Sequence, residues 1–440
     1  MPQKQTICLL NDSFPPVIDG VANAVENYAW EIESKHGHAL VATPDVPGAD
    51  DSGYPFPVVR YPSLDTRALV GYVAGIPFST ELSARLGKER PALLHSHCPI
   101  ASTILARELR ETLDVPLVLT YHTKFDIDIA NAIRLRLLQE EALRVLVQNI
   151  SSCDEVWVVS RGAGDNLRSI GYEGEVTLME NGVDVPKARV SQQAVAETVR
   201  GYDLPEDVPV FLFVGRLMWY KGIRIILEAL AKLQAEGCDF RMVFVGGGGD
   251  EKEIKALTEK LGLTQKTVFT GPVHDRDAIR AWYCRADAFL FPSTFDTNGL
   301  VVREAAACSL ASVLIKGSCA AEGITDGKDG WLIEENADAL AAKLRTLIPQ
   351  KDEMRRVGEN AAEDLYLSWA DAVDRAWERY ETVIDNYRSG RYPRSLRMTD
   401  GIMAANGALM ELFAEMEEMR RSVNEQLKKP LDRFNGWLGL

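Results

Sequence analysis

The stretch "PVFLFVGR", Pro209–Arg216, decides the fold class because it is apolar throughout and runs into a helical pattern that begins at Gly222. A strand without polar alternation is buried on both faces, which is typical of a parallel sheet covered by helices. Apolar runs and helical patterns continue to alternate toward the carboxyl terminus. The further apolar runs are FRMVFVGGGG, TVFTG, AFLFPS and SVLIKG, at residues 240–249, 267–271, 288–293 and 312–317. Residues 205–368 are therefore predicted to form a doubly wound α/β domain.

A similar alternation occupies the amino-terminal part of the chain. Its apolar runs are TICLLN, HALVATP, ALLHSH, LVLTYHT and EVWVVS, and helices are predicted near residues 21–34, 102–112 and 129–150. We predict a first domain over residues 1–190 and a linker over 186–209. The predicted fold is thus α/β, with two Rossmann-like, doubly wound domains. Ligands are expected at the carboxyl ends of strands and in the cleft between the domains.

The carboxyl-terminal part has a different pattern. An amphipathic helix is predicted over residues 369–390, and after "RYPRS" apolar residues recur every three or four positions from Ile402 to Leu438. This spacing predicts an amphipathic helical tail over residues 396–440. Such a helix docks on its own chain, pairs with a second copy to form a homo-oligomer, or lies on a membrane surface; the three alternatives stay open.

Composition and charge restrict the class of protein. A chain of 440 residues is too long for a single hydrophobic core, so more than one domain is expected. The formal net charge of −15 argues against nucleic-acid binding, which needs a basic face. The seven cysteines are scattered without a CxxC pair, so neither a disulfide framework nor a zinc site is indicated. The start "MPQKQTICLL" has no signal-peptide pattern, and no apolar run reaches the ~18 residues of a membrane span. We expect a cytoplasmic protein, at most peripheral on the inner face of the membrane.

Two glycine-containing stretches invite a phosphate-binding interpretation. "VFVGGGGDE" lacks the GxGxxG spacing and is explained equally well by a tight turn between strand and helix. In "VGRLMWYKG", Arg216 and Lys221 follow the carboxyl end of a predicted strand. They either converge on a diphosphate, which they could neutralise without a metal, or remain two solvated charges beside a loop.

The stretch "DTNGLVVREAAA", Asp296–Ala307, combines an anion site with two acids. The N–H groups of Gly299, Leu300 and Val301 lie where a loop becomes a helix, so they are expected to face an anion. Asp296 precedes this point and Glu304 lies about one turn inside the helix, and carboxylates are strong acceptors for hydroxyl groups. The layout fits a nucleotide sugar, although an acid paired with the helix dipole plus a solvated Glu is the alternative.

These motifs together resemble the family 4 glycosyltransferases, retaining enzymes of the two-domain GT-B fold, over about residues 6–387. The family's acidic motif is Glu-x7-Glu, and "DTNGLVVREAAA" keeps its spacing, its Gly-Leu and its second acid while Asp296 replaces the first Glu. Asp is shorter than Glu by ~1.5 Å. Either the loop is shifted inward, or the donor sugar differs from the family's usual one.

The resemblance implies a role for each matching residue. Glu304 would bind the ribose, Asp296 the donor sugar, and the amides at 299–301 the diphosphate. Arg216 and Lys221 match the family's GRLxxxKG phosphate pair, and the loop "GPVHDRD" would meet the base. The donor-binding residues implied in this way are Gly20, Arg216, Lys221, Val273, His274, Asp296, Asn298, Gly299, Leu300, Val301 and Glu304.

In the first domain the resemblance concerns two loops and a helix. "NDSFPPVIDGVANAV" resembles the glycine loop over the donor phosphates, with Gly20 matching the second glycine and Asp19 replacing the first. "TYHTKFD" resembles the YHT motif, which implies that His122 faces the donor sugar. "SWADAVDRAWERYE" resembles the terminal helix that crosses back to the first domain.

The implied reaction is transfer with retention by front-side attack, without an enzyme nucleophile. His122, Arg216, Lys221 and Asp296 are the predicted catalytic residues, and the nucleotide sugar is a co-substrate. No cofactor and no metal site is predicted. "DID", Asp126–Asp128, is interpreted as a loop or helix start, and a three-histidine metal site at His95, His97 and His122 is the less favoured alternative.

The acceptor is the least determined feature. The predicted helix at residues 131–150 carries Arg134, Arg136 and Arg144, which either meet anionic lipid headgroups or form a solvated face with Glu140 and Glu141. The DTNGL phrase resembles the ETQGL form of diacylglycerol glucosyltransferase-like members. UDP-glucose or a similar donor and a lipid acceptor are therefore expected. A soluble glycan or small-molecule acceptor, a nucleotide-sugar epimerase or hydrolase, and a non-catalytic scaffold are the alternatives.

Overall fold

The computed structural model describes residues 4–17, 19–66, 73–76, 80–132 and 136–392. The described chain divides into two compact units. Unit 1 comprises the residues up to Val158, those from Gly164 to Thr177 and those from Val373 on, and unit 2 comprises the remainder. The predicted tail over residues 396–440 lies outside the described residues.

The first sheet is parallel and buried. The strands in this part of the chain are β1 (Thr6–Leu10), β2 (His38–Pro44), β3 (Val58–Tyr61), β4 (Ser63–Leu64), β5 (Ala74–Gly75), β6 (Leu93–Ser96), β7 (Leu117–Tyr121), β8 (Glu155–Val158) and β9 (Thr177–Leu178). Seven of them form one sheet in the order β3-β2-β1-β6-β7-β8-β9, while β4 and β5 form a separate antiparallel pair. Neighbouring strands from β3 to β8 pair in parallel.

Helices connect these strands. They are α1 (Gly20–Glu31), followed by a π turn at Ile32–His36, and then α2 (Thr80–Lys88), α3 (Ala101–Leu113), α4 (Phe125–Ala132), α5 (Arg136–Ser151) and α6 (Arg161–Ser169). Helices α4 and α5 cover the described residues of the expected helix over 129–150, residues 133–135 lie outside the described residues, and α4 begins at Phe125. The Asp126–Asp128 triplet therefore lies in the first turn of a helix, as the sequence analysis favoured.

The second sheet repeats the plan. Its strands are β10 (Val210–Val214), β11 (Arg241–Val245), β12 (Thr267–Gly271), β13 (Ala288–Phe291), β14 (Ser312–Ile315) and β15 (Trp331–Ile333), in the order β12-β11-β10-β13-β14-β15, all parallel. The helices of this part are α7 (Gln192–Thr198), α8 (Ile223–Ala235), α9 (Glu251–Lys260), α10 (Arg276–Arg285), α11 (Leu300–Ala307), α12 (Ala337–Leu347) and α13 (Lys351–Asp364). The predicted linker thus contains a short helix, α7, capped by Ser191 and packed on α10.

The long terminal helix α14 (Trp369–Arg388) belongs to unit 1 from Val373 on. Arg379 donates two hydrogen bonds to Glu155, at 2.9 and 2.7 Å, and the Tyr387 hydroxyl bonds to Asp114 at 2.8 Å. No helix in the described ranges is both long and apolar enough to cross a membrane.

Each sheet reverses its strand order beside its first strand, between β1 and β6 and between β10 and β13. In open α/β sheets, ligands bind outside the carboxyl ends of the strands at such a reversal. In unit 2 the loops at this point carry Arg216 and Lys221 after β10 and Asp296 after β13. The predicted doubly wound fold is confirmed. Its strand-order reversal in unit 2 brings the loops that carry Arg216, Lys221 and Asp296 to the same edge of the sheet.

Candidate functional site

The loops after β10 and β13 touch each other at a glycine. Gly222 has φ +76°, and a Cβ there would lie 2.0 Å from the carbonyl oxygen of Pro292. Only a residue without a side chain permits this approach in this backbone conformation. The contact brings Lys221, immediately before the glycine, beside the loop that carries Asp296.

Lys221 is buried and ion-paired with Asp296. Its ammonium lies 5.7 Å from the ring centroids of both Tyr220 and Phe291, within the range of cation–π attraction. Arg216 is exposed, and its guanidinium lies 6.0 Å from the same Tyr220 ring. Both predicted phosphate cations therefore approach one aromatic ring at the strand-order reversal.

Both carboxylate oxygens of Asp296 have protein partners. One accepts the hydrogen bond from Lys221 Nζ, and the other accepts from the hydroxyl of Ser293 at 2.6 Å. Ser293 was not predicted as a site residue, although its position three residues before the acid is the spacing at which a loop hydroxyl reaches a carboxylate. The shorter acid is thus held between the ammonium of Lys221 and the hydroxyl of Ser293, and both explanations of the shorter side chain, a shifted loop and a different donor sugar, stay open.

Helix α11 begins without a side-chain cap. Gly299 has φ +58° and ψ 43°, and no side chain of the described residues accepts from the first turn. Within the same described part of the chain, the amides of Gly299, Leu300 and Val301 donate no backbone hydrogen bond. The Asn298 Nδ2 atom is buried and has no hydrogen-bond partner among the described residues. Four donors therefore cluster at the positive end of a helix, which is an anion-binding arrangement.

Glu304 lies about one turn inside helix α11. Its hydrogen-bond partner differs from those of Asp296. Its Oε2 atom accepts a hydrogen bond from the hydroxyl of Tyr283 at 3.0 Å. Burial raises the pKa of Glu304, the bond from Tyr283 lowers it, and the nearby carboxylate of Asp184 raises it further. Tyr283 has no local sequence signal that links it to Glu304, since 21 residues separate the two.

The loop after β12 carries Val273 and His274. Val273 packs against the core of unit 2, and His274 is exposed at the same carboxyl edge of the sheet. No hydrogen bond or ion pair among the described contacts joins either residue to Lys221, Asp296 or Glu304. The structure brings the two residues to the expected edge, and their contact with a base stays a prediction.

The four-glycine run after β11 supports the neighbouring loop. A Cβ at Gly246 would lie 2.0 Å from the carbonyl oxygen of Gly215, and one at Gly248 would lie 2.4 Å from that of Leu217. Leu217 also donates a backbone hydrogen bond to Gly247 at 3.0 Å. The sequence allowed either a phosphate-binding loop or a tight turn between strand and helix. These close backbone contacts favour the tight turn.

In unit 1, Gly20 opens α1. Asp19 caps this helix, because its Oδ1 accepts from the amides of Val21 and Ala22, both at 2.8 Å. A Cβ at Gly20 would meet nothing within 4 Å. The residue that replaces the family's first glycine therefore occupies the helix amides that an anion would otherwise use.

His122 follows β7 and is buried with His95 and His97. Its Nε2 atom lies 3.0 Å from His97 Nδ1, while both ring nitrogens of His95 bond to hydroxyls, of Tyr380 at 2.6 Å and of Thr120 at 2.7 Å. Both nitrogens of His95 are engaged by hydroxyl groups, and His97 Nδ1 is engaged by His122 Nε2, so the three rings do not offer three free nitrogens to a common metal position. Among the described residues, no group of His, Cys, Asp and Glu has metal-binding geometry.

The predicted basic face of α5 is largely neutralised. Arg136 pairs with Glu140 at 3.1 Å, and Arg144 pairs with Glu141. All four side chains are exposed, so these pairs contribute little to stability but remove the net positive charge of the face. Arg134 lies outside the described residues.

Comparison with known proteins gives matches over both parts of the chain. The family model described as "Glycosyltransferase Family 4" matches residues 18–187, and the one described as "Glycosyl transferases group 1" matches residues 196–364. The D-inositol 3-phosphate glycosyltransferase 2 of Catenulispora acidiphila is 28% identical over 317 residues, which cover 68% of this chain and 73% of that protein.

Two further similarities concern a lipid enzyme and a solved structure. The alpha-monoglucosyldiacylglycerol synthase of Streptococcus pneumoniae is 22% identical over 79% of each chain. The crystal structure of Anabaena Alr3699/HepE in complex with UDP superposes with a TM-score of 0.69 at 19% identity, over 86% of this chain and 100% of that one. The structural likeness establishes the GT-B fold. With two family models spanning both domains, the chain belongs to glycosyltransferase family 4 and is a glycosyltransferase enzyme.

Proposed function

We propose that the chain transfers a hexose from a nucleoside diphosphate sugar, UDP-glucose or a close analogue, to an acceptor hydroxyl with retention of configuration. The observation that carries this proposal is the pairing of Lys221 with Asp296 beside the uncapped start of α11. A diphosphate would supply a negative charge for the free amides at the start of α11 and for Arg216, next to the ion pair of Lys221 with Asp296. The similarity to a protein that was crystallised with UDP supports the nucleotide.

The donor is assigned to residues 205–368. Its diphosphate would bind the amides of residues 299–301, the orphan Nδ2 of Asn298, and the cations Arg216 and Lys221. Glu304 would accept the ribose hydroxyls, Val273 and His274 would meet the base, and Asp296 would lie toward the sugar. Residues 1–190 would hold the acceptor, and the family resemblance assigns Gly20 to the donor phosphates and His122 to the donor sugar.

Chemistry at the anomeric carbon follows from these positions. The bond between C1 and the phosphate oxygen breaks, and the acceptor oxygen bonds to C1 on the same face. The acceptor proton passes to the departing phosphate oxygen, so no enzyme nucleophile is required. Arg216, Lys221 and the α11 amides stabilise the charge that develops on the leaving group, and each such donor is typically worth ~10²–10³ in rate.

For the acceptor we propose a membrane lipid with a free hydroxyl, such as diacylglycerol. The name of the Streptococcus pneumoniae relative supports this class of acceptor. Because Arg136 and Arg144 are paired with acids, α5 alone has no excess positive charge for anionic headgroups. For peripheral contact with the membrane we propose the amphipathic tail over residues 396–440, with docking of that tail on its own chain and pairing of two copies through it as the competing roles.

The test measures release of UDP or GDP from a panel of nucleotide sugars, with and without vesicles that contain diacylglycerol. We expect release that depends on the lipid and an α-linked glycolipid product. Release without any acceptor would identify a hydrolase or epimerase, and release only with soluble sugars would identify a glycan acceptor. Absence of release from every donor would overturn the assignment. Removal of residues 396–440 should abolish lipid-dependent turnover while UDP binding persists.

A further inference from the structure

The ring of Tyr220 lies close to both cations of the loop after β10. The guanidinium of Arg216 lies 6.0 Å from the centroid of this ring, and the ammonium of Lys221 lies 5.7 Å from it. Both distances are within the range of cation–π attraction, in which the electron-rich face of an aromatic ring attracts a positive charge. One aromatic side chain therefore interacts with both of the proposed phosphate-binding cations.

The two cations depend on this ring to different degrees. Lys221 is buried, pairs with Asp296 and also lies 5.7 Å from the ring centroid of Phe291, so several contacts fix its ammonium. Arg216 is exposed, and its side chain forms no hydrogen bond or ion pair within the part of the chain that the structure describes. The Tyr220 ring is thus the described contact that restricts the guanidinium.

The backbone of this loop is held by short-range hydrogen bonds. The amide donors and carbonyl acceptors are Met218 to Arg216 at 2.9 Å, Lys221 to Met218 at 3.0 Å and Gly222 to Trp219 at 3.1 Å. With the main chain fixed in this way, the remaining freedom of Arg216 lies in its long side chain. An arginine carries a large rotamer entropy, part of which is lost when its guanidinium binds a ligand. A ring that already holds the guanidinium reduces that loss.

The ring of Tyr220 is itself held by the loop after β13. Its centroid lies 4.5 Å from that of the Phe295 ring, with an angle of 41° between the ring planes. Phe295 immediately precedes Asp296, whose ion pair with Lys221 joins the same two loops. Neighbouring residues of one loop thus pair with neighbouring residues of the other. The position of the Tyr220 ring is therefore set by a tertiary contact, although its side chain is partly exposed.

We propose that Tyr220 is a positioning residue for Arg216, whose guanidinium its ring holds close to Lys221 so that both cations meet the same diphosphate. This inference rests on the proposed function, in which Arg216 stabilises the departing nucleoside diphosphate. Tyr220 contacts no reacting atom and acts through Arg216. A guanidinium that is already in place needs little reorganisation when negative charge develops on the leaving oxygen, so the ring contributes to turnover more than to ground-state binding.

The first experiment measures UDP binding to the full-length chain by titration calorimetry, which needs no acceptor. Tyr220→Leu removes the ring, whereas Tyr220→Phe keeps the ring and removes only the hydroxyl. We expect UDP to bind about three- to tenfold more weakly to the Leu variant and within about twofold of the unsubstituted affinity to the Phe variant. In an Arg216→Ala background, Tyr220→Leu should cause a much smaller further loss, because the guanidinium that the ring positions is absent. Equal affinity in the unsubstituted and Leu proteins, an equal loss in the Phe variant, or an undiminished loss in the Arg216→Ala background would overturn the proposal.

The second experiment separates positioning from a general disturbance of the loop. We expect kcat to fall about tenfold in Tyr220→Leu, with a smaller change in KM for the donor, and to recover in Tyr220→Phe. Trp219→Leu is the matched control, because this neighbouring ring interacts with Arg224 instead, at 4.4 Å, and it should keep its UDP affinity and its kcat. Equal losses in Trp219→Leu and Tyr220→Leu would overturn the proposal. Failure of the unsubstituted chain to bind UDP or GDP, or to act on any donor, would instead overturn the proposed function.

Discussion

The ammonium of Lys221 binds the carboxylate of Asp296, although 75 residues separate them in the chain. Ser293 engages the second carboxylate oxygen at 2.6 Å, so the acid is held from two sides. The acid at the start of the acidic motif therefore sets the position of Lys221, the cation that we propose binds phosphate. A diphosphate that approaches Lys221 also approaches a fixed negative charge.

Asp296→Asn removes this negative charge with little change in shape. We expect UDP to bind about five- to tenfold more tightly, which corresponds to ~1 kcal/mol of relieved repulsion in a partly exposed site. Turnover should nevertheless fall, because Lys221 loses the partner that orients it. Titration calorimetry with UDP and steady-state kinetics measure the two effects. Ser293→Ala is the matched control, since it removes one hydrogen bond and keeps the charge, and unchanged or weaker UDP binding in Asp296→Asn would contradict this explanation.

Arg216→Ala should lower kcat by about 10²- to 10³-fold while the melting temperature stays unchanged, because the guanidinium is exposed and stabilises only the leaving group. Arg224 provides a matched control: it is also exposed and stacks on Trp219 at 4.4 Å between guanidinium and ring centroid, outside the proposed site. Arg224→Ala should retain nearly full activity. Comparable activity in both variants would remove Arg216 from the site.

The pH dependence of donor binding should report on Glu304. Burial raises the pKa of this carboxyl, and the bond from Tyr283 opposes that rise. The ionised form accepts the ribose hydroxyls, so kcat/KM should increase as pH rises through the pKa of Glu304. Tyr283→Phe removes the opposing bond and should move this acidic limb to higher pH. Glu304→Gln, which cannot titrate, should lack the limb and turn over poorly, and an unmoved limb in Tyr283→Phe would refute the assignment.

Gly222→Ala should disrupt the contact that places Lys221. The new Cβ would lie 2.0 Å from the Pro292 carbonyl oxygen at φ +76°, so the loops must separate. We expect a loss of more than ~2 kcal/mol in the free energy of unfolding and a weaker affinity for UDP. Gly53→Ala is the control, because a Cβ there meets nothing within 4 Å. Denaturant titration of both variants measures the difference, and equal stability would show that the loops are not in close contact.

Much of the fold was predictable because each central strand is apolar along its whole length. Runs such as "PVFLFVGR" and "LVLTYHT" became β10 and β7, and the helices between them began and ended near the expected residues. The edge strands β3 and β15, of four and three residues, were not predicted from the sequence.

Some residues of the candidate site could also be predicted from the sequence, and others could not. Arg216, Lys221, Gly299 and Glu304 were recognisable because local motifs carry them, whereas Ser293 had only a weak spacing signal. Tyr283 was not predicted as a site residue. Its partner Glu304 lies on another element, and the sequence contains no record of which side chains a folded sheet brings into contact.

The amino-acid sequence determined two parallel sheets, their first strands and the cations and acids that follow them, because burial on both faces and loop chemistry are properties of contiguous residues. Only the tertiary structure decided that Lys221 is bound to Asp296, that Asp19 caps α1 and that Tyr283 donates a hydrogen bond to Glu304. Those relationships depend on close approaches between loops, such as that of Gly222 to Pro292, and on packing between distant elements. They arise when strands distant in the chain lie side by side.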